Sequence, residues 1–145
     1  MKFSLFIDPE RDEEVIVYAH KRCEKTQKIQ QLAEDTLSEL ICYNGTEGIV
    51  VPVDDIFCVF SNGDNVYVMT EKEQYKVKQR LYQLYEKLSL SFVKINQSCI
   101  VNIKKIQKFD ATIAGSLTVK LKNGYKDYVS RRQLKEVKER IGLKI

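Results

Sequence analysis

The sequence predicts a mostly β fold with a few helices. The Asn-Gly pairs at 62–63 and 123–124 each separate two short runs of strand-like composition, and apolar and polar residues alternate in the runs 65–70 and 117–122. Such a pair is typical of a tight β-hairpin, because both central positions of a type I′ turn need a positive φ. Most other apolar runs are short and rich in β-branched residues, which indicates strands, and only three segments show apolar residues at helical spacing.

Length and composition indicate one globular domain, or a domain with a small appendage. The chain has 145 residues, of which 43% are hydrophobic and 30% charged, and this composition excludes a disordered chain. No apolar run approaches the length of a membrane span, and the apolar stretch at the N-terminus is too short for a signal peptide. A cytoplasmic location is therefore predicted.

The first 45 residues are predicted to form a small β–β–α module. Residues 3–7 and 15–19 have the composition of strands, and an acidic loop lies between them. Apolar residues from Ile29 to Ile41 form one helical stripe, which Tyr43-Asn44-Gly45 ends. The stripe either packs on the module's own strands or serves dimerisation.

Residues 46–145 are predicted to be a series of short strands with two helices. Pro52 in the run 49–53 indicates an edge strand, since proline cannot donate a hydrogen bond to a neighbouring strand. Leu81, Leu84, Tyr85 and Leu88 form the stripe of a short helix, ended by Ser89. The other predicted strands lie at residues 56–61, 65–70, 75–77, 92–96, 99–103, 104–109, 117–121 and 125–129.

The last helix is predicted from its capping residues. Ser130 and Gln133 fit a capping box, and Gly142 follows the final apolar position as a stop signal. Arg131 and Arg132 then occupy the first turn, where the helix dipole disfavours positive charge. Two arginines at this place indicate an external anion such as phosphate, or a base edge.

Positive charge is concentrated in the C-terminal third. Residues 1–90 carry 11 Lys and Arg against 16 Asp and Glu, a net charge of −5, whereas residues 91–145 carry 13 against 4, a net charge of +9. This asymmetry predicts an anionic partner, most commonly nucleic acid, although a solubilising lysine-rich surface is the alternative. Phosphate contacts are predicted in the basic run after residue 103, at Lys104, Lys105 and Lys108.

Several classes of function have no support. The cysteines at 23, 42, 58 and 99 form no CxxC pair and are expected to be reduced thiols, mostly buried. The single histidine, His20, leaves little material for nucleophilic catalysis or for a metal cluster. There is no glycine-rich phosphate loop. We therefore expect no enzyme activity, no metal and no cofactor.

Four stretches carry a resemblance to a known family. They are residues 56–67, Arg80-Leu81 with the helix up to Leu88, residues 92–102, and the Gly115–Leu117, Leu121–Gly124 and Val129–Arg132 segments. The third is similar to the pattern F-x-R-x-H-R-S-x-x-V-N. Together they cover about residues 46–145 and resemble the LytTR-type DNA-binding domain of bacterial transcription regulators.

The resemblance implies an elongated fold of short antiparallel sheets in series. Loops and the start of the last helix would enter successive major grooves of double-stranded DNA and bend it. The family's His-Arg pair falls on Asn96 and Gln97, where amides keep hydrogen-bonding capacity but lose charge. The base-reading arginine falls on Arg132, and Arg131 lies beside it on the DNA backbone. The remaining positions that the resemblance brings to DNA are Asn62, Asp64, Asn65, Lys94 and Ser98.

The resemblance also implies a stand-alone regulator. About 45 residues precede the β region, too few for the doubly wound receiver domain of many relatives. We expect a homodimer, at least on DNA, since paired protomers suit paired half-sites. The alternative is a protein-interaction or anti-activator module, in which residues 1–45 bind a membrane or cytosolic regulatory protein and the basic surface binds DNA without sequence preference.

Overall fold

The computed structural model describes residues 1–34, 37–88, 90–111 and 115–142, and the chain divides into two compact units. The first unit is Met1–Asp35 and the second is Thr36–Ile145. In the described residues, no helix is long and apolar enough to cross a membrane.

The first unit contains one helix, α1 (Glu24–Glu34). The strands predicted at residues 3–7 and 15–19 are wrong, because neither segment pairs with another segment among the residues that the structure describes. The predicted helix from Ile29 to Ile41 is wrong in its second half: α1 ends at Glu34, and Leu40 and Ile41 lie in a strand of the second unit.

The second unit is mostly β, as predicted. A seven-stranded antiparallel sheet is built from β1 (Glu39–Asn44), β2 (Glu47–Pro52), β3 (Cys58–Asn62), β4 (Asn65–Met69), β5 (Gln74–Val77), β6 (Phe92–Asn96) and β7 (Cys99–Asn102). Its order is β2-β1-β5-β4-β3-β7-β6, so the strand that contains Pro52 is an edge strand, as the proline predicted.

A second antiparallel sheet follows, and two helices complete the unit. The sheet consists of β8 (Ile106–Ala111), β9 (Leu117–Leu121) and β10 (Lys126–Val129), in the order β10-β9-β8. Helix α2 (Leu81–Leu88) joins β5 to β6, and α3 (Arg131–Ile141) follows β10. Gly142 ends α3 in the left-handed conformation at φ +69°, with its amide donating to Lys138, so the predicted stop is confirmed.

Alternation along the central strands gives the seven-stranded sheet two apolar faces. On β3, Val59 belongs to the core beneath α2, whereas Cys58 belongs to the core shared with the second sheet and α3. The first core includes Leu84, Leu88 and Phe92. The second includes Ile95, Leu117, Leu121 and Val137. The sheet is thus covered by α2 on one face and by the second sheet with α3 on the other.

The hairpin turns differ in detail from the prediction. Asn62 pairs with Asn65, so the two turn residues are Gly63 and Asp64 rather than Asn62 and Gly63. Gly63 takes the positive φ of +64° that the tight turn demands. Tyr43-Asn44-Gly45 was predicted to end a helix, but Tyr43 and Asn44 lie in β1 and Gly45-Thr46 forms the turn between β1 and β2.

All four cysteines are free thiols, and Cys42, Cys58 and Cys99 are buried while Cys23 is exposed. Burial raises the pKa of Cys42 to about 11. A hydrogen bond with Cys58, followed by burial, raises the pKa of Cys99. The buried thiols therefore serve the core as small apolar side chains.

Candidate nucleic-acid interface

The turn between β6 and β7 is built around Asn96. A register shift between Lys94 and Asn96 interrupts the regular pairing of β6, and Asn96 pairs with Cys99. The Asn96 side chain is 2% exposed. Its Oδ1 accepts from the Ser98 amide at 2.9 Å, and its Nδ2 donates to the Tyr128 carbonyl at 2.9 Å. Both ends of this amide are therefore used inside the protein.

The residues that follow Asn96 have a different environment. Gln97 and Ser98 are exposed at the tip of the turn. The two residues on which the family's His-Arg pair falls therefore differ in environment. Gln97 is exposed to solvent, whereas Asn96 is buried and hydrogen-bonds within the turn.

Backbone hydrogen bonds attach two further segments to this turn. The Ser61 amide donates to the Ser98 carbonyl at 2.8 Å, which fixes the β3–β4 hairpin beside it. The Ser130 amide donates to the Ile95 carbonyl at 2.8 Å, which fixes the start of α3. The exposed hairpin tip, Asn62 to Asn65, is thereby held on one side of Gln97, and the first turn of α3 on the other.

The first turn of α3 exposes two arginine side chains. Ser130 is the N-cap with extended backbone, φ −68° and ψ 155°, but its side chain makes no capping hydrogen bond. The predicted capping box is therefore absent, although the helix begins where it was predicted. Arg131 and Arg132 are exposed, and the first turn contains no acidic residue.

Neighbouring carboxylates are engaged elsewhere. Glu136 accepts a hydrogen bond from the Tyr85 hydroxyl at 3.3 Å. Asp127 accepts from the Tyr128 amide at 2.8 Å and from the Tyr125 hydroxyl at 3.2 Å. Burial, then the nearby thiol of Cys99 and carboxylate of Asp127, raise the pKa of Tyr125. Among the ion pairs of the described residues, none involves Arg131 or Arg132.

A groove lies between the hairpin tip, α2 and the β6–β7 turn. Among its lining residues are Gly63, Asp64, Arg80, Lys94 and Gln97. Lys94 is half-buried here. Arg80 precedes α2, where its amide donates to Gln83 at 2.9 Å. Arg80 was not predicted as a DNA contact, although Arg80-Leu81 belongs to one of the stretches that carry the family resemblance.

The lysines after β7 lie at the other end of that strand. Lys104 is exposed, whereas Lys105 is half-buried with its Nζ 5.1 Å from the centre of the Phe57 ring. Lys108 forms an ion pair with Asp110 at 3.8 Å. Because β7 spans four residues, about 10 Å of strand separates this group from Ser98. The predicted contacts therefore fall into two groups.

Lys122 joins the second group. Its amide donates to the Lys105 carbonyl at 2.9 Å, and the residue is exposed. It stands in the β9–β10 turn beside Asn123, whose Nδ2 donates to the Thr70 carbonyl at 3.3 Å. The sequence analysis did not predict Lys122 as a DNA contact; the hydrogen bond to Lys105 brings it into this group.

Comparison with known proteins matches this architecture. The model of the LytTr DNA-binding domain matches residues 47–142. A solved structure, the LytTr DNA-binding domain of a protein described as a methyl-accepting/DNA response regulator from Bacillus cereus, superposes with a TM-score of 0.68. It is 21% identical and covers 74% of this chain and 99% of that chain. This likeness confirms the predicted fold.

Two relatives extend the similarity to the whole chain. Both are named as uncharacterised HTH-type transcriptional regulators of Staphylococcus aureus, one from strain NCTC 8325 / PS 47 and one from strain N315. Each is 32% identical over 146 residues, which covers 99% of this chain and 99% of the relative. With two thirds of its length matched by the family model and its fold shared, this chain belongs to the LytTR family of DNA-binding domains.

Proposed function

We propose that the chain is a sequence-specific transcription regulator whose loops and helix start enter the major groove of double-stranded DNA. The observation that carries this proposal is the hydrogen-bonded unit around Asn96. It holds the hairpin tip, Gln97 and the first turn of α3 next to one another, all exposed. Three exposed polar segments on one rigid support suit the reading of base edges.

Each segment supplies a different chemistry in this proposal. Arg132 can donate two hydrogen bonds to the O6 and N7 of guanine, and the Gln97 amide can pair with adenine. Arg131 and the free amides at the start of α3 suit a phosphate. The hairpin tip and the β6–β7 turn offer uncharged or acceptor groups, at Asn62, Asp64, Asn65 and Ser98. Lys94 adds a cation in the groove.

Asn96 takes a different role from the one that the resemblance implies. Since it is buried and both ends of its amide are bonded within the protein, we assign it as a positioning residue. Lys104, Lys105 and Lys108 form a separate phosphate-binding group, in which the Lys108–Asp110 pair weakens the contribution of Lys108. The regulator would act in the cytoplasm, as a homodimer on paired half-sites.

The decisive experiment uses Arg132. Binding sites are selected from a random duplex library with the full chain, and affinities for the selected duplex and a scrambled one are measured by fluorescence anisotropy. Arg132→Ala should weaken binding to the selected site by about 1–3 kcal/mol and leave the scrambled duplex nearly unaffected. Lys135→Ala, an exposed cation on the same helix, is the matched control and should change both affinities little.

Two results would count against the proposal. The first is a library in which no motif is enriched. The second is an Arg132→Ala variant that loses the same affinity for both duplexes, which would reduce this residue to a phosphate contact. Circular dichroism of each variant confirms that the fold is intact.

A further inference from the structure

The first unit has no core of its own. None of its described residues, 1–34, is buried, and α1 contains no buried residue. Its exposed large apolar side chains are Met1, Phe3, Leu5, Phe6, Ile7, Val15, Ile16, Val17, Tyr18 and Leu32. A unit below about 40 residues rarely folds alone without a disulfide, a metal or association. An apolar surface of this extent marks an interface.

Residues 15–19 have the composition of a strand, but they form no strand within the described part of the chain. Val15, Val17 and Ala19 line a groove with Ile29 and Ala33 of α1. The four large side chains of the segment are all exposed, from 39% at Val17 to 92% at Tyr18. In the described part of the chain, no backbone hydrogen bond joins this segment to any other. An exposed β-branched segment whose backbone groups make no such bonds is open to strand pairing with another chain.

The sequence around this segment is self-complementary. Residues equally distant from Val17 on its two sides are Ile16 and Tyr18, Val15 and Ala19, Glu14 and His20, Glu13 and Lys21, Asp12 and Arg22. The five inner residues, Val15 to Ala19, are flanked by acidic residues on one side and by His20, Lys21 and Arg22 on the other. Two copies that pair antiparallel about Val17 therefore place apolar residues opposite apolar residues and acids opposite bases.

We propose that a second copy of this chain occupies the open edge of residues 12–22, in a two-fold antiparallel strand pair centred on Val17. A two-fold interface uses the same patch on both copies, and it requires residue i to face j while j faces i. The arrangement around Val17 satisfies this for both apolar and charged positions. The α1 helices then cover one face of the shared two-stranded sheet, through Ile29 and Ala33.

Two observations favour a second copy over another protein. The arrangement of apolar and charged residues about Val17 is complementary to itself, which pairing of two identical copies requires and pairing with a different protein does not. The relatives from Staphylococcus aureus match this chain over its whole length, including residues before the family domain, so this element accompanies the DNA-binding domain in them. The inference deepens the homodimer of the proposed function and gives that dimer its interface, but the assembly it describes needs no DNA.

The first test measures mass and charge complementarity. Light scattering of the full chain at micromolar concentration, without DNA, should give twice the chain mass of 16.9 kDa. Glu13→Lys places like charges opposite each other at two symmetric positions and should weaken the dimer by about tenfold or more. Lys21→Glu should do the same. The double variant Glu13→Lys with Lys21→Glu restores opposite charges and should recover the dimer.

The second test measures the register. In a Cys23→Ser background, Val17→Cys brings one thiol beside its symmetric equivalent on the axis, within the Cα separation of roughly 4.5–5.5 Å that a disulfide accepts. Mild oxidation should give a covalent dimer. Val15→Cys in the same background is the matched control, because its two thiols lie four residues apart along the pair and should not join.

The outcomes separate this inference from the proposed function. A monomeric wild-type chain overturns it and leaves the first unit to a different partner. A dimer whose stability is unchanged by both charge reversals also overturns it. So does a dimer that cross-links through Val15→Cys rather than Val17→Cys. Fluorescence anisotropy measures DNA selectivity through Arg132 independently of the dimer mass. A result against the interface and a result against sequence-selective DNA binding can therefore be distinguished.

Discussion

At the level of single residues, Asn96 is a buried polar side chain whose hydrogen bonds are made within the protein. It ties the β6–β7 turn to Tyr128 just before α3 and to the amide of Ser98. Asn102, 2% exposed at the far end of β7, does the same for the other loop, with its Nδ2 donating to Ile56 at 2.9 Å and its Oδ1 accepting from Lys104 at 3.1 Å. The two asparagines therefore make hydrogen bonds at both ends of β7.

Replacing Asn96 should therefore affect stability as well as DNA binding. Asn96→Ala leaves the Tyr128 carbonyl and the Ser98 amide without their partner, and we expect a loss of about 1–3 kcal/mol in the free energy of unfolding. Gln97→Ala is the adjacent control: its side chain is exposed, so its stability should stay within about 0.5 kcal/mol of the wild type while DNA selectivity falls. Urea denaturation measures the first quantity. Equal stabilities for the two variants would contradict the role assigned to Asn96.

The buried thiol of Cys42 predicts a loss of stability at alkaline pH. Burial raises its pKa from 9.0 to about 11, so the unfolded chain releases this proton at a lower pH than the folded protein. The contribution to stability is complete below pH 9.0 and is lost as the pH rises toward 11. Unfolding midpoints in urea, measured below and above pH 9.0, should fall less for Cys42→Val than for the wild type. Burial also raises the pKa of Tyr125, so the Cys42→Val variant should still lose some stability at alkaline pH. A loss of stability as large as that of the wild type would contradict the prediction.

At the level of elements, α3 is fastened at both ends to β6. The Ser130 amide bonds to Ile95 at the start of the helix, and near its end the Arg140 guanidinium donates to the carbonyls of Phe92 and, at 3.2 Å, of Leu90. Val137 is buried between these two attachments. The helix that presents Arg131 and Arg132 is thus fixed in direction along one strand.

Removing the second attachment should loosen the helix. Arg140→Ala breaks hydrogen bonds from a charged donor, and we expect a loss of about 1.5–3 kcal/mol in unfolding free energy. DNA selectivity should weaken too, although Arg140 lies far along α3 from the proposed DNA contacts. Glu139→Ala, its exposed neighbour, is the control and should be neutral in both measurements. An Arg140→Ala variant as stable as the control would show that the guanidinium does not hold the helix.

At the scale of the whole molecule, exposed cations of the basic third lie in two separate places. One group contains Arg131 and Arg132 beside Gln97; the other contains Lys104, Lys105 and Lys122 beyond the opposite end of β7. This separation suits one base-reading face and one backbone-binding face on the same duplex. It also predicts that the two groups respond differently to salt.

The lysine group should determine how steeply affinity depends on salt. Lys104→Ala should lower the slope of log K against log salt by about 0.9 and weaken binding to selected and scrambled duplexes alike. Lys108→Ala should change the slope less, because Lys108 already pairs with Asp110 at 3.8 Å. Anisotropy titrations at several salt concentrations measure both. A Lys104→Ala variant that lost selectivity while keeping the wild-type slope would assign this lysine to the bases instead.

Local chemistry was enough to predict most of the second unit. The short helix at residues 81–88, the last helix with its Gly142 stop, and the edge position of the Pro52 strand follow from apolar spacing and backbone requirements, and the structure has all three. The motifs around residues 92–102 and 129–132 were specific enough to indicate the family. Each of these signals lies within a few residues of sequence, where propensity and turn geometry act directly.

Tertiary contacts decided the rest. The apolar positions Leu40 and Ile41 fit a helix or a strand; pairing of Leu40 with Val51 and burial of Cys42 made them part of a strand. Residues 15–19 have the composition of a strand but are unpaired in the described ranges of the chain, because strand structure needs a partner that composition does not supply. Asn96 and Gln97 are adjacent amides in the sequence, yet one is buried and one exposed. The sequence by itself determined which residues are β-forming, helix-forming or cationic, whereas only folding decided which of them meet, because burial and pairing depend on residues distant along the chain.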